Sequence, residues 1–311
     1  MNGTRRVLVT GASGFIGRHV LPWLMSRGYE VHIAGRRPPL EGTPAGIVGH
    51  TVDLLAESDI ARVMAAVRPS HLLHLAWNAT PGKFWTAIDN LDWVAASLRL
   101  YRSFAENGGQ RTVFAGTCAE YDWGRDWLDE ADTPLKPRTL YGTAKNTLRN
   151  LLAAADEQTG VSTAWGRIFF LYGPHEASSR LVPDVMVSLL QQRSPLCTEG
   201  WQERDFMHVD DVARAFAILL DSDRRGPVNI ASGVCLPVRS VVTTIGELAG
   251  RPDLLQFGTR PMPADEPLRL AANTQILTEQ LGFAPRYSLA TGLAATLDWW
   301  RDHLLTGISP L

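Results

Sequence analysis

The chain has 311 residues, enough at roughly 150 residues per domain for two domains, or for one large domain with an appended lobe. Its 30 Lys and Arg against 32 Asp and Glu leave a net charge of -2, which argues against general nucleic-acid binding, since that wants a basic face. Hydrophobic residues make up 45% and charged residues 20%, the values of an ordinary globular protein able to bury a large core without staples. Cys118, Cys197 and Cys235 are odd in number and far apart, so neither a disulfide framework nor a zinc spacing is readable. A reducing cytoplasm and no metal site are expected. No run reaches the ~18 apolar residues of a membrane span. The apolar stretch Val7, Leu8, Val9 behind the basic pair Arg5 and Arg6 is too short for a signal-peptide core.

In chain order, apolar runs of strand length alternate with helical periodicities. Strands are predicted at 5–10, 30–34, 47–52, 71–77, 111–116 and 162–169. Helices are predicted at 15–27, 58–67, 90–106 and 141–158. Continuous apolar strands separated by helices predict an α/β fold, a doubly wound parallel sheet covered on both faces. Beyond about Ile168 prolines become frequent and the rhythm breaks down, with helical pieces at 184–192, 210–220, 238–249 and 289–303. This half reads as a smaller, irregular lobe. The expected division is a dinucleotide-binding domain at 1–168, completed by about 207–232, and a substrate lobe at 169–206 and 233–311.

The first strand runs into Gly11-Ala12-Ser13-Gly14-Phe15-Ile16-Gly17 and then into a helix. In that context the glycines form a dinucleotide-binding loop. Gly11 allows the tight turn, Gly14 lets backbone amides approach a pyrophosphate at the helix N-terminus, and Gly17 permits close packing. An NAD site carries Asp or Glu at the end of the second strand to bind the ribose 2′-hydroxyl. Here that strand ends in Arg36 and Arg37, and two guanidiniums suit a 2′-phosphate. NADP(H) is therefore expected over NAD, the other reading being that both arginines are solvated surface charges. Asp53, after the third strand, is a candidate for the adenine amino group or a plain turn residue.

Tyr141 and Lys145 lie four apart on one predicted helix, hence on one face. A free phenol titrates near ~10, and a nearby ammonium favours its ionised form. With the glycine loop upstream, the sequence resembles the extended short-chain dehydrogenase/reductases, in particular their nucleotide-sugar branch. The resemblance rests on residues 10–17, on His74-Leu75-Ala76, on Thr117 with Tyr121 four residues on, on Tyr141 and Lys145, and on Arg167 with Tyr172-Gly173-Pro174. Arg204-Asp205-Phe206-Met207-His208-Val209-Asp210-Asp211-Val212 and Leu281-Gly282-Phe283-Ala284-Pro285 complete it.

The resemblance implies a Rossmann-type fold and a catalytic set of Thr117, Tyr141 and Lys145. In it Tyr141 moves the proton at the sugar oxygen, Lys145 binds the nicotinamide ribose and lowers the tyrosine pKa, and Thr117 hydrogen-bonds the same oxygen. For Thr117 the other reading is a strand-end hydroxyl capping a turn. The resemblance further implies cofactor contacts from Gly11, Ser13, Gly14, Phe15, Ile16, Gly17, Leu54, Leu75 and Ala76 as well as Arg36, Arg37 and Asp53. Substrate contacts would come from Thr117, Arg180, Arg204 and Arg260. Arg204 and Arg260 match positions of diphosphate and ribose contacts, where guanidinium forks suit phosphate, the other reading being that both are surface ion pairs. Asp205 and Asp211 read as structural and His208 as a packing residue. Trp77, Trp85 and Trp93 read as packing residues, or as lining of the site mouth. A homodimer through helices 90–106 and 141–158 is also implied.

Departures from the family pattern narrow the chemistry. Cys118 and Ala119 follow Thr117 where sugar 4,6-dehydratases carry an acidic pair, and Ala119 stands where double epimerases carry a cysteine. Phe169-Phe170-Leu171 replaces the asparagine that many members place before Tyr-Gly-Pro. The remaining expectation is NADP(H)-dependent reduction of a nucleoside-diphosphate 4-keto-6-deoxyhexose. Its rivals are a 4-epimerase retaining NAD, a non-catalytic NADP-sensing regulator and a reductase of non-sugar carbonyls.

Overall fold

The computed structural model describes residues 5–37 and 42–305. The chain begins β1 (Arg6–Thr10), α1 (Phe15–Ser26), β2 (Glu30–Gly35), β3 (Val48–Thr51), α2 (Glu57–Val67), β4 (His71–His74), α3 (Asn90–Glu106) and β5 (Arg111–Thr117). It continues β6 (Trp127–Leu128), α4 (Leu140–Thr159), β7 (Ser162–Ile168), β8 (Phe170–Tyr172), α5 (Leu181–Leu190), β9 (Glu203–His208), α6 (Val209–Asp221) and β10 (Gly226–Ile230). The last elements are β11 (Cys235–Pro237), α7 (Val238–Ala249), β12 (Arg269–Ala272) and α8 (Leu289–Leu305).

Seven strands form one parallel sheet in the order β3-β2-β1-β4-β5-β7-β10. All seven residues of β5 are buried, as a central strand with both faces covered must be. On one face α1 and α6 pack through Val20, Leu24, Phe216 and Leu220. On the other, α2, α3 and α4 pack through Ile60, Leu100 and Leu148. The chain winds outward from β1 to β3, then returns to lay β4 on the other side of β1. That reversal opens a crevice at the strands' carboxyl ends, the place where such sheets bind ligands.

The doubly wound reading of the sequence therefore holds, with two local differences. β4 stops at His74 and does not run on to Trp77. Its neighbour β1 ends at Thr10, whose hydroxyl meets His74 Nδ1 at 2.7 Å and whose carbonyl accepts the Leu75 amide, and beyond that point nothing on this side offers a partner. The strand expected at 162–169 breaks at Phe169, whose amide crosses to the Ile230 carbonyl, and the chain restarts as β8.

The lobe expected to be irregular contains a second, mixed sheet in the order β11-β9-β12-β6, with β8 also pairing β9. Its strands are two to six residues long, too short to produce a periodicity. Beneath it α5, α7 and α8 share a core of Val185, Met186, Val241, Leu293 and Trp300. Among the described residues no helix is long and apolar enough to cross a membrane.

Candidate active site

A cavity of about 980 Å³ occupies the crevice at the β1/β4 reversal. Gly11 begins the loop at φ +72°, and a Cβ there would sit 2.7 Å from the Ala76 nitrogen, so the turn and its close approach to the β4 exit both require glycine. Ser13 and Gly14 line the cavity, as do Leu75, Ala76, Asp53 and Leu54. Phe15, Ile16 and Gly17 are not on its wall. Phe15 meets His19 edge-on at 6.3 Å, Ile16 packs into the core, and Gly17 abuts the Gly11 carbonyl. Arg36 and Arg37 are both exposed on the cavity rim. Asp53 is also a turn residue, its carboxylate accepting the Leu55 amide at 3.0 Å. The sequence reading missed a further stretch of wall made by Arg18, His19, His175, Trp299 and His303.

Thr117, Tyr141 and Lys145 come together beside this cavity. Thr117 ends β5. Its hydroxyl accepts the Ala119 amide at 3.2 Å, while its own amide donates to Glu120 Oε1 at 2.9 Å, a reciprocal cap of the single turn Cys118–Glu120. The capping reading of Thr117 is therefore real, and it does not remove the residue from the site, because its side chain also acts on the Tyr141 phenol, lowering its pKa against the effect of burial. Thr139 caps α4 by accepting the Gly142 amide at 3.1 Å, which sets Tyr141 in the first turn. Gly142 lets that turn press on the Thr117 segment, since a Cβ there would lie 2.4 Å from the Ala119 carbonyl oxygen.

Tyr141 stands among aromatic rings, edge-on to Phe84 at 4.8 Å, Trp85 at 5.8 Å and Trp77 at 6.3 Å, and its amide donates to the Trp85 carbonyl. Burial pushes the phenol above its ordinary range, with the Thr117 side chain pulling the other way. The expected lowering by Lys145 is not what this packing does. The ammonium is 5.9 Å from the phenol ring and is itself desolvated, so burial dominates. Lys145 is 3% exposed and donates to the Ala115 carbonyl at 2.9 Å. Burial brings its pKa down to about 7, with the Glu120 carboxylate acting to raise it.

Glu120 supports the site and was missed by the sequence reading. It is fully buried and accepts from Thr117, Trp165 and Arg167, so it fixes the strand end that carries Thr117. The available signal was its place three residues after Thr117, which is the spacing of a capping box. Cys118 is buried, and its thiol is pushed up to about 12 by that burial, so it stays protonated at neutral pH.

The three substrate arginines stand in different surroundings. Arg180 precedes α5, lies 5.6 Å over the Phe84 ring and acts on the Tyr141 phenol through its charge. Arg204 is 3% exposed, pairs with Glu266 and donates to the Glu203 carbonyl at 2.7 Å. It lies 5.3 Å over Phe170 and lines a second cavity of about 440 Å³ in the lobe. The Arg260 side chain is exposed, and its amide donates to the Cys197 carbonyl. Asp205 holds the Ser232 and Gly233 amides, and Asp211 those of Arg286 and Tyr287. His208 is buried, accepts the Asp210 amide, and has its pKa lowered to about 4 by burial. The two aspartates thus make the structural contacts expected of them, while His208 also lines the second cavity.

Comparison with known proteins agrees with this geometry. The model of the NAD dependent epimerase/dehydratase family matches residues 7–231. A UDP-glucose 4-epimerase from Azospirillum brasilense is 29% identical over 96% of this chain and 92% of its own length. A dTDP-glucose 4,6-dehydratase from Streptomyces griseus is 27% identical over 96% of this chain and 95% of its own. The crystal structure of a Thermus thermophilus UDP-glucose 4-epimerase in complex with NAD superposes with a TM-score of 0.83 at 26% identity, covering 95% of this chain and 99% of that one. With a parallel nucleotide-binding sheet, a glycine loop at its reversal and a Tyr–Lys helix beside it, the chain belongs to the NAD-dependent epimerase/dehydratase family.

Proposed function

We propose that the protein reduces a nucleoside-diphosphate 4-keto-6-deoxyhexose at C4, using NADPH. The observation that carries this reading is the placement of the Thr117 hydroxyl and the Tyr141 phenol together beside a cavity whose rim presents Arg36 and Arg37. The cavity fits a dinucleotide. Its 980 Å³ are lined by the glycine loop, and its Gly11 cradle would be filled by any side chain. When bound, the cofactor supplies the hydride to C4.

The chain's own residues handle the rest. Tyr141 Oη gives its proton to the C4 oxygen, Thr117 Oγ1 orients that oxygen, and Lys145 offsets charge developing on the phenol. The ribose contact expected of Lys145 is not open in this geometry, where Trp77 and not Lys145 lines the cavity. A proton donor must be protonated when the substrate arrives, and burial holds Tyr141 in that state. Cys118 and Ala119 stand where an acid–base pair beside Thr117 would be, which argues against an elimination.

Arg180, Arg204 and Arg260 are proposed to take the diphosphate and its ribose. Residues 1–168 with 207–232 are proposed as the cofactor half, and 169–206 with 233–311 as the substrate half, in a cytoplasmic homodimer joined through α3 and α4.

A second reading is a 4-epimerase that retains NAD. It is favoured by the A. brasilense relative and by the NAD-bound T. thermophilus structure. The experiment that separates the two mixes the protein with NADPH or NADH and a panel of dTDP-, CDP-, GDP- and UDP-linked 4-keto sugars and follows cofactor absorbance. Steady consumption of NADPH supports the reductase. Tightly held NAD with no consumption supports the epimerase.

A further inference from the structure

Trp77 contacts the reactive lysine, which its reading as a packing residue does not explain. The Lys145 ammonium lies 3.7 Å from the Trp77 ring centroid, the closest cation–ring approach in the site. The indole is held at its ring nitrogen. Its Nε1 donates to Asn90 Oδ1 at 2.8 Å, and Asn90, 1% exposed, donates in turn to the Phe84 and Ala87 carbonyls at 2.8 and 2.7 Å. Phe84 is the ring edge-on to Tyr141, so the same three residues brace both members of the Tyr–Lys pair. Trp77 also stands on the wall of the dinucleotide cavity, where Lys145 itself does not appear.

A buried ammonium needs compensation on every side that has lost water. The Ala115 carbonyl supplies one hydrogen bond, and the Glu120 carboxylate acts through charge alone. Toward the cavity the facing group is the indole, whose negative π face attracts a cation most strongly where water is excluded. An aliphatic side chain of similar bulk would exclude water equally well and offer no such attraction. The two kinds of side chain therefore differ in one respect, the free energy of the charged form of Lys145.

We propose that Trp77 is a positioning residue that favours the ammonium form of Lys145 and keeps it on the Ala115 carbonyl of β5 through the face of its indole. The inference rests on the reading of Tyr141 and Lys145 as the reacting pair only for its consequence in catalysis. The contact itself is independent of the substrate.

The test exploits a favourable composition. The chain has three lysines, and the other two, Lys83 and Lys136, are exposed. The ε-carbon resonance of 13C-labelled Lys145, assigned by its loss in Lys145→Arg, is followed through a pH titration without cofactor. Wild type is compared with Trp77→Phe and Trp77→Leu. The Lys145 midpoint in Trp77→Leu is expected to fall by at least about half a pH unit, with Trp77→Phe staying near wild type. An unchanged midpoint in Trp77→Leu, or equal shifts in the two variants, overturns the proposal.

Should Trp77→Leu fail to fold, biosynthetic difluorotryptophan keeps the ring shape and weakens its π face. A lowered midpoint then supports the contact and an unchanged one overturns it. If the midpoint moves as expected but no 4-keto sugar is reduced, the proposed substrate fails and the Trp77 contact stands.

Discussion

Glu120 and Arg167 meet 2.8 Å apart in the core, with neither side chain more than 1% exposed. The pair is fully engaged. Glu120 Oε1 takes the Thr117 amide and Trp165 Nε1, while Arg167 Nη1 donates to the Tyr121 hydroxyl, which donates to Asn229 Oδ1 on β10. The end of β5 that carries Thr117 is thereby tied to the far edge of the sheet.

Glu120→Ala leaves Arg167 as an unpaired buried charge and the Thr117 amide unbonded. Removing one partner of such a pair costs about 3–5 kcal/mol. Urea denaturation is expected to show a stability loss of at least that lower figure. A loss below about 1 kcal/mol would mean that water or another group takes over the guanidinium.

Tyr141→Phe removes the proton donor and keeps the ring packing against Phe84 and Trp85. Its kcat is expected to fall at least ~100-fold, the lower end for a positioned acid–base group, with cofactor affinity little changed. Near-normal turnover in this variant would show that the proton comes from elsewhere.

Replacing Arg36 and Arg37 together by alanine tests the 2′-phosphate. A charge-assisted hydrogen bond is worth roughly 1.5–3 kcal/mol. NADPH binding, measured by fluorescence titration, is expected to weaken at least tenfold while NADH binding stays nearly constant. Equal losses for both cofactors would leave the arginines as surface charges.

Glu176 gives a stability prediction with a definite sign. It is buried, its Oε2 has no hydrogen-bond partner among the described residues, and burial lifts its pKa from 4.5 to about 8. Between those two values the folded protein keeps a proton that the unfolded chain has lost. The carboxyl's contribution is therefore fully present below pH 4.5 and is lost as pH rises through 8. Glu176→Gln removes this dependence. The variant is expected to gain on wild type as pH rises from 5 to 8, by about 1 kcal/mol or more at pH 8. A difference in Tm that stays constant across that range would place the Glu176 pKa near its ordinary value.

The large sheet was legible in the sequence because its central strands are buried on both faces and read as continuous apolar runs, and because Gly11, Gly14 and Gly17 marked the turn between β1 and α1. The Tyr141–Lys145 pair was legible because helical spacing alone puts the two on one face. The second sheet was not, since β6 and β11 have two and three residues and take their partners from distant parts of the chain. Glu120 was hidden for a different reason. Its partners Trp165 and Arg167 lie 45 and 47 positions away, and only the register of β5 on β7 brings them together. The direction of the Tyr141 pKa shift could not be read from the Lys145 spacing either. It depends on Phe84, Trp85 and Trp77, which arrive from the segment after β4.

The central claim is net reduction at C4, and combined mass and cofactor accounting tests it most directly. The purified protein is incubated with NADPH and a nucleotide-linked 4-keto-6-deoxyhexose, and the product is weighed by mass spectrometry while NADPH absorbance is followed. The account predicts a product two mass units heavier than the keto sugar, with one NADPH consumed per molecule. Interconversion of two 4-hydroxy epimers by protein carrying tightly bound NAD, with no change in mass and no NADPH consumed, would contradict it.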